Sequence, residues 1–267
     1  MTRLLALAVC WLWITPATSA ALQTETVEYR HGDTVLEGYL AYDDAQPGKR
    51  PGVLVVHEWM GLGPYAKRRA EQLARLGYVA FAADMYGKGV RAVDHAEASR
   101  LSGVYRQDRQ LMRARIQAAL EALKANPRTD PLRTAAIGYC FGGTSVLELA
   151  RSGADVLGVA SFHGSLDTPN PEDARAIKCK VLVFHGADDR FVTMDQVDAF
   201  EDEMQAAGVD YHLTMYPGAV HSFTVREAGN DPSTGVAYHE EADRQSWQAL
   251  QAFLADLFQE PEVRDIG

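Results

Sequence analysis

A short apolar run from Thr134 to Ile137 ends at Gly138. Tyr139, Cys140, Phe141, Gly142 and Gly143 then lead into a helix-like segment, Thr144 to Arg151. This G-x-C-x-G stretch restricts the fold more than any other part of the chain. A strand that turns at once into a helix leaves no space for Cβ atoms beside the apex residue, and glycine accepts the strained dihedrals such a turn needs. The apex here is Cys140, at a helix N-terminus where free N–H groups and the helix dipole favour a thiolate. An inert cysteine in a Gly-rich turn would have the same five letters, so the remainder of the chain has to decide.

The remainder alternates. Val27–Tyr29 and Leu36–Ala41 read as short strands around His31-Gly32-Asp33, a hairpin signal. Gly52–Val56 is a continuous apolar run, as expected of a strand buried on both faces. Ala66–Leu76 has helical periodicity with Gly77 behind it, and Tyr78–Ala83 is the next strand, ending at Asp84. Met85–Gly103 reads as a loop with a short helix, Gln107–Ala125 as a long amphipathic helix. After the Cys140 segment come strands at Val156–Phe162, Val181–Phe184 and Tyr211–Tyr216, and helices at Met194–Ala207 and Ala242–Phe258. Strand and helix in alternation predict an α/β fold, a mostly parallel central sheet with helices on both faces. No linker or repeat interrupts it, so 21–267 reads as a single domain, and a hydrophobic content of 47% is enough for a large core.

Residues 1–20 stand apart. Arg3, the apolar Leu4–Ile14, too short to span a bilayer, and the small residues up to Ala20 and Ala21 read as a signal peptide, which predicts a periplasmic or secreted protein. Cys10 lies in the apolar stretch; Cys140 and Cys179 remain after its removal. Cys179 opens a strand and Cys140 follows one, so the two belong to opposite edges of the sheet and read as free thiols. The formal net charge of −10 argues against nucleic acid and anionic membrane surfaces as partners.

Ligands of an open parallel sheet bind at the carboxyl ends of its strands. The residues just past the predicted strands are His57-Glu58, Asp84, Cys140, His163, Asp188-Asp189 and, after a short turn, His221. A thiol nucleophile needs a base, and the base needs an orienting carboxylate. The order Cys140, Asp189, His221 is the nucleophile–acid–histidine order of α/β-hydrolases, and each interval has room for one helix and one strand. Asp189 is preferred to Asp188, which reads as a turn or capping residue.

Together, His57-Glu58-Trp59-Met60-Gly61-Leu62, Gly138–Gly143, His185–Asp189 and His221-Ser222-Phe223 resemble the dienelactone hydrolase family of α/β-hydrolase fold, from about Thr26 to Phe258. The resemblance implies a hydrolase using Cys140, His221 and Asp189, with Glu58 in contact with the resting thiol. It further implies an oxyanion hole built from the backbone N–H groups of Phe141 and Trp59. The family's two carboxylate-binding arginines correspond here to Lys88 and Val225, with Arg226 one place further on. Lysine lacks the bidentate fork of arginine. Lys88 and Arg226 are the candidate substrate-binding residues, and the loss of the clamp predicts a preference for uncharged substrates.

His57, His163 and His185 also follow or end strands, but no metal-ligand spacing connects them, so no metal is expected. Trp59, Phe141 and Phe223 are candidates for an apolar pocket, whereas Phe162 reads as core. The expected activity is hydrolysis of a small ester or lactone without a cofactor. The rival is a non-catalytic small-molecule-binding protein on the same fold.

Overall fold

The computed structural model describes residues 22–259. The expected signal segment lies outside the described residues. Eight strands form one sheet in the order β1-β2-β4-β3-β5-β6-β7-β8. They are β1 (Leu22–His31), β2 (Thr34–Asp43), β3 (Arg50–Val56), β4 (Val79–Ala83), β5 (Thr129–Tyr139), β6 (Gly158–Phe162), β7 (Lys180–Gly186) and β8 (Tyr211–Tyr216). The β1–β2 hairpin pairs antiparallel, and β2 meets β4 antiparallel. From β4 to β8 every pairing is parallel, so their carboxyl ends all lie on one edge.

Six helices cover the faces: α1 (Pro64–Arg75), α2 (His95–Gln107), α3 (Arg109–Ala125), α4 (Phe141–Arg151), α5 (Met194–Ala207) and α6 (Glu240–Leu257). Along β3, Val53 and Val55 join one apolar layer with Ala70 and Leu73 of α1 and Leu250 and Leu254 of α6. Leu54 and Val56 join the other, with Ile116 of α3, Val146 of α4 and Phe200 of α5. The period-2 alternation of a strand thus divides between two layers what looks in the sequence like a uniform apolar run. Among the described residues, no helix is long and apolar enough to cross a membrane.

The structure lengthens the short helix expected within Met85–Gly103. His95–Gln107 is a thirteen-residue helix whose N-cap, Asp94, accepts from Glu97 N at 2.8 Å, while Glu97 Oε2 accepts from Val93 N. Asp108 closes α2 and then opens α3, accepting from Leu111 N at 2.9 Å. The expected helix over 107–125 is therefore the second of two, separated by one residue that serves as cap to both. At the nucleophile turn α4 starts at Phe141, three residues before the predicted Thr144, with Cys140 as its N-cap.

Candidate active site

Cys140 lies between the last residue of β5 and the first of α4, at φ 54°, ψ −115°. Its neighbours explain why the turn can form. A Cβ on Gly138 would lie 2.0 Å from the carbonyl oxygen of Gly142, and one on Gly142 would lie 2.2 Å from that of Val56. Only glycine permits strand, turn and helix to approach so closely. Cys140 N–H donates to Phe162 O at 2.9 Å and to His163 Nδ1 at 3.2 Å.

The sulfur is 3.2 Å from His221 Nε2, and His221 Nδ1 is 2.8 Å from Asp189 Oδ2. The other oxygen of Asp189 accepts from Phe191 N at 2.8 Å, which fixes the carboxylate plane. Asp189 is buried and faces His221; Asp188 is exposed. His221 is held between Gly235 O, which accepts from its N–H at 3.2 Å, and Ala237 N, which donates to its carbonyl at 3.1 Å. Burial draws the imidazole pKa down, but the Cys140 sulfur and the Asp189 carboxylate outweigh it and push the pKa up to about 10. The ring thus lies within hydrogen-bond distance of both a carboxylate and a thiol.

His163 supports this line from behind. Its Nδ1 accepts from Cys140 N–H, so the ring proton is on Nε2 and is donated to Thr224 Oγ1 at 2.8 Å. Burial lowers its pKa well below the ordinary range, in keeping with a neutral ring. Tyr65 O–H donates to the same hydroxyl at 2.6 Å. The nucleophile turn and the loop following His221 are thereby joined. Among the described residues, the non-glycine positions with positive φ are Cys140, His163 and Ser222, all in this assembly.

Glu58 makes no hydrogen bond with the sulfur in this structure. The hydrogen bond of Sγ is with His221, and Glu58 lines an adjoining cavity of about 210 Å³ with Tyr65, Arg68, Arg91, Val225 and Glu227. Burial raises its carboxyl pKa to about 7, with Glu227 adding to the effect and His221 opposing it. His57 beside it is neutral: Nε2 accepts from Met85 N at 3.2 Å and Nδ1–H donates to Glu58 O at 2.5 Å. Burial lowers its pKa. The N–H groups of Trp59 and Phe141 are engaged in no hydrogen bond among the described residues. Phe141 N–H belongs to the first turn of α4, which has no intrahelical acceptor.

A cavity of about 690 Å³ opens over Cys140 and His221. Trp59 lines it; Phe141 and Phe223 do not, and are fully buried core residues like Phe162. Phe191, which the sequence reading missed, stands in the wall with its ring 5.6 Å from that of His221. Neither expected substrate-binding cation reaches this cavity. Lys88 N–H donates to Val35 O at 2.9 Å, and its side chain pairs with Glu28 and Glu37 on the β1–β2 hairpin. Arg226 lies over the Tyr238 ring at 5.4 Å and faces a separate cavity with Tyr65 and Arg69. Besides His221, the basic residues that line the cavity over Cys140 are Arg106, from the last turn of α2, and His95 from its first. The reading of a loop with a short helix over 85–103 gave neither residue a place in the site, although Asp94-His95-Ala96-Glu97 is a capping box that marks the helix start. Among the described residues no group of three or more His, Cys, Asp or Glu is arranged to hold a metal ion.

The chain is similar to the solved structure m3DLH, 40% identical with a TM-score of 0.86, over 90% of this chain and 100% of that one. It is equally similar to P91, a dienelactone hydrolase-like promiscuous phosphotriesterase from metagenomic libraries, 41% identical with a TM-score of 0.85 over the same shares. A Methylorubrum extorquens protein provisionally named a carboxymethylenebutenolidase is 29% identical over 236 residues, 82% of this chain and 76% of that protein. The model of the dienelactone hydrolase family matches residues 36–258, from β2 to the end of α6. The chain is a hydrolase and belongs to the dienelactone hydrolase family.

Proposed function

We propose that this hydrolase cleaves the acyl–oxygen bond of a small carboxylic ester or lactone, with Cys140 as nucleophile, His221 as acid and base, and Asp189 as the orienting carboxylate. The observation that carries the reading is the unbroken line from Sγ through both imidazole nitrogens to Asp189, with separations of 3.2 and 2.8 Å. Sγ attacks the carbonyl carbon while Nε2 holds the thiol proton. The oxyanion is taken up by the N–H groups of Phe141 and Trp59. Collapse expels the alkoxide, which receives the proton from His221 and leaves a thioester on Cys140. A water then gives its proton to Nε2 and its oxygen to the carbonyl. The acid departs, and sulfur and histidine return to their starting state.

Glu58 acts on this cycle from the adjoining cavity. A carboxyl group that titrates near neutral pH beside His221 adds negative charge as it ionises, which strengthens the hold of the imidazole on its proton. Hydrolysis of the thioester needs the opposite, so the charge on Glu58 shifts the balance between the two halves of the reaction. Export of the mature chain is part of the proposal and is supported by the composition of residues 1–20; an intact mass that begins at Ala21 or Leu22 in the exported fraction checks it.

The chemistry is tested by rapid quench with 4-nitrophenyl butyrate followed by peptide mass analysis. One acyl adduct on the peptide bearing Cys140 is expected, absent after blocking with iodoacetamide. Turnover that survives the block, or an adduct on another residue, overturns the assignment.

A further inference from the structure

We infer that Thr224 is a positioning residue for the reaction: its buried hydroxyl, held by Tyr65 and His163, keeps the Cys140 turn in line with His221. Cys140 follows β5 and His221 follows β8, so the two side chains come from loops that β6 and β7 separate in the sheet. Thr224 Oγ1 is the atom at which these loops are tied. It accepts from His163 Nε2 at 2.8 Å, and His163 Nδ1 accepts from Cys140 N–H at 3.2 Å. Along the chain, Thr224 stands three residues beyond His221. Tyr65 of α1 donates to the same oxygen at 2.6 Å. Arg69, one turn further along α1, donates to the Tyr65 hydroxyl at 3.1 Å and to the Thr224 carbonyl at 3.3 Å.

This line of bonds is anchored in the core. Arg69 is buried and pairs with Asp243 of α6. Its guanidinium carbon lies 4.9 Å from the ring centre of Trp247, also on α6, and 5.5 Å from that of Tyr139, the residue before Cys140. Two donors, the Tyr65 O–H and the His163 Nε2–H, converge on one buried acceptor. That convergence fixes the tautomer of His163 and keeps its ring neutral, 5.3 Å from the ring of His221. A neutral neighbour lets His221 hold a proton without like-charge repulsion. Cys140, His163 and Ser222 have φ of 54°, 40° and 60°. Non-glycine residues stay in that region only where their surroundings impose it. Thr224 bonds directly to one of the three and lies two residues from another. An apolar side chain of the same shape would leave both donors buried without an acceptor.

The role in turnover rests on the ester or lactone reading above; the positioning of Cys140 does not, and separate measurements decide the two. Thr224→Val keeps the shape and removes the acceptor, and Thr224→Ser restores it. With 4-nitrophenyl butyrate, kcat per folded molecule should fall roughly tenfold in Thr224→Val, less than the hundredfold of a 1 Å misplacement, with KM within about twofold of the parent. Thr224→Ser should regain most of the rate. Alkylation of Cys140 by iodoacetamide, followed by mass, needs no turnover; it should slow in Thr224→Val and recover in Thr224→Ser. Nitrogen NMR shifts of the His163 ring in the unmodified protein should show the proton on Nε2, a measurement that stays decisive if Thr224→Val does not fold. Either rate equal to the parent's in Thr224→Val, even with stability lowered, overturns the role. So does a Thr224→Ser variant that restores neither rate, or a His163 proton on Nδ1. Alkylation that responds as expected in a protein without ester turnover would keep the positioning and refute the ester reading.

Discussion

The two ends of α4 are built on opposite principles. At its N-terminus Cys140 has a positive φ, and the supporting residue His163 also occupies the left-handed region, at φ 40°. Such conformations cost on the order of 1–3 kcal/mol each in a non-glycine residue and persist only where the surroundings impose them. At the C-terminus nothing is strained and every charge is matched. Arg151, fully buried, donates to both oxygens of Glu203 at 2.8 and 2.7 Å, to Glu148 Oε1 at 3.1 Å and to Leu166 O at 3.0 Å. Glu148, equally buried, also accepts from Arg113 Nε at 2.7 Å. Every residue of the helix between is buried. A rigid, ion-paired rear anchors a helix whose front holds an unfavourable turn, so strain and anchorage occupy one element but different ends of it.

That contrast can be broken from either end. Cys140→Ala should give the largest change: ester hydrolysis should fall by at least three orders of magnitude, about the scale of losing a covalent step. Stability should be nearly unchanged, since a small buried side chain is replaced by another. Steady-state rates and urea melts on the same preparation measure both, and a variant with near-normal turnover would rule out the nucleophile. Arg151→Met should do the reverse. It leaves Glu203 without a buried partner and Glu148 with Arg113 alone, and should cost about 3–5 kcal/mol of stability, read as a lower urea midpoint. A variant as stable as the parent would mean that the network contributes nothing to holding α4.

The smallest effect concerns Glu58 and sharpens the view of the front end. Its folded-state pKa is raised from 4.5 to about 7, chiefly by burial. Below pH 4.5 the carboxyl is protonated whether the chain is folded or not, and it has no effect on pH dependence. Between pH 4.5 and 7 the unfolded chain ionises first, so stability falls as pH rises; above 7 the loss is constant. Glu58→Gln should remove that slope, giving a flatter plot of unfolding free energy against pH across this window. His221 contributes with the opposite placement: its pKa is raised to about 10, so its stabilisation is complete below about pH 6.5 and disappears as pH climbs through 10. Parallel pH plots for the two proteins would show that Glu58 carries no excess burial cost.

Much of the frame was legible before any coordinates. Continuous apolar runs marked β3 to β7, because a strand covered on both faces has no polar side to show. The juxtaposition of Cys140, Asp189 and His221 was legible because the fold puts strand ends on one edge and because the turn at Cys140 requires its glycines. The full length of α2 was not, since Ser99, Ser102 and Gly103 lower its helical signal below that of its caps, Asp94 and Asp108. A short helix that stops by Gly103 leaves Arg106 unplaced.

The chain's own letters determined the order of elements and the strained turn at Cys140, consequences of local sterics and hydrophobic period. Tertiary structure alone decided where the long side chains go. Lys88 is four residues past Asp84 in either view, but the hairpin carboxylates Glu28 and Glu37, about fifty to sixty residues upstream, draw it out of the site. Glu58 follows the first central strand as expected, yet it lines the adjoining cavity with Tyr65 and Val225 and is absent from the lining of the cavity over Cys140. A flexible charged side chain is set by the field and the space that distant segments create, and spacing along the chain does not encode either.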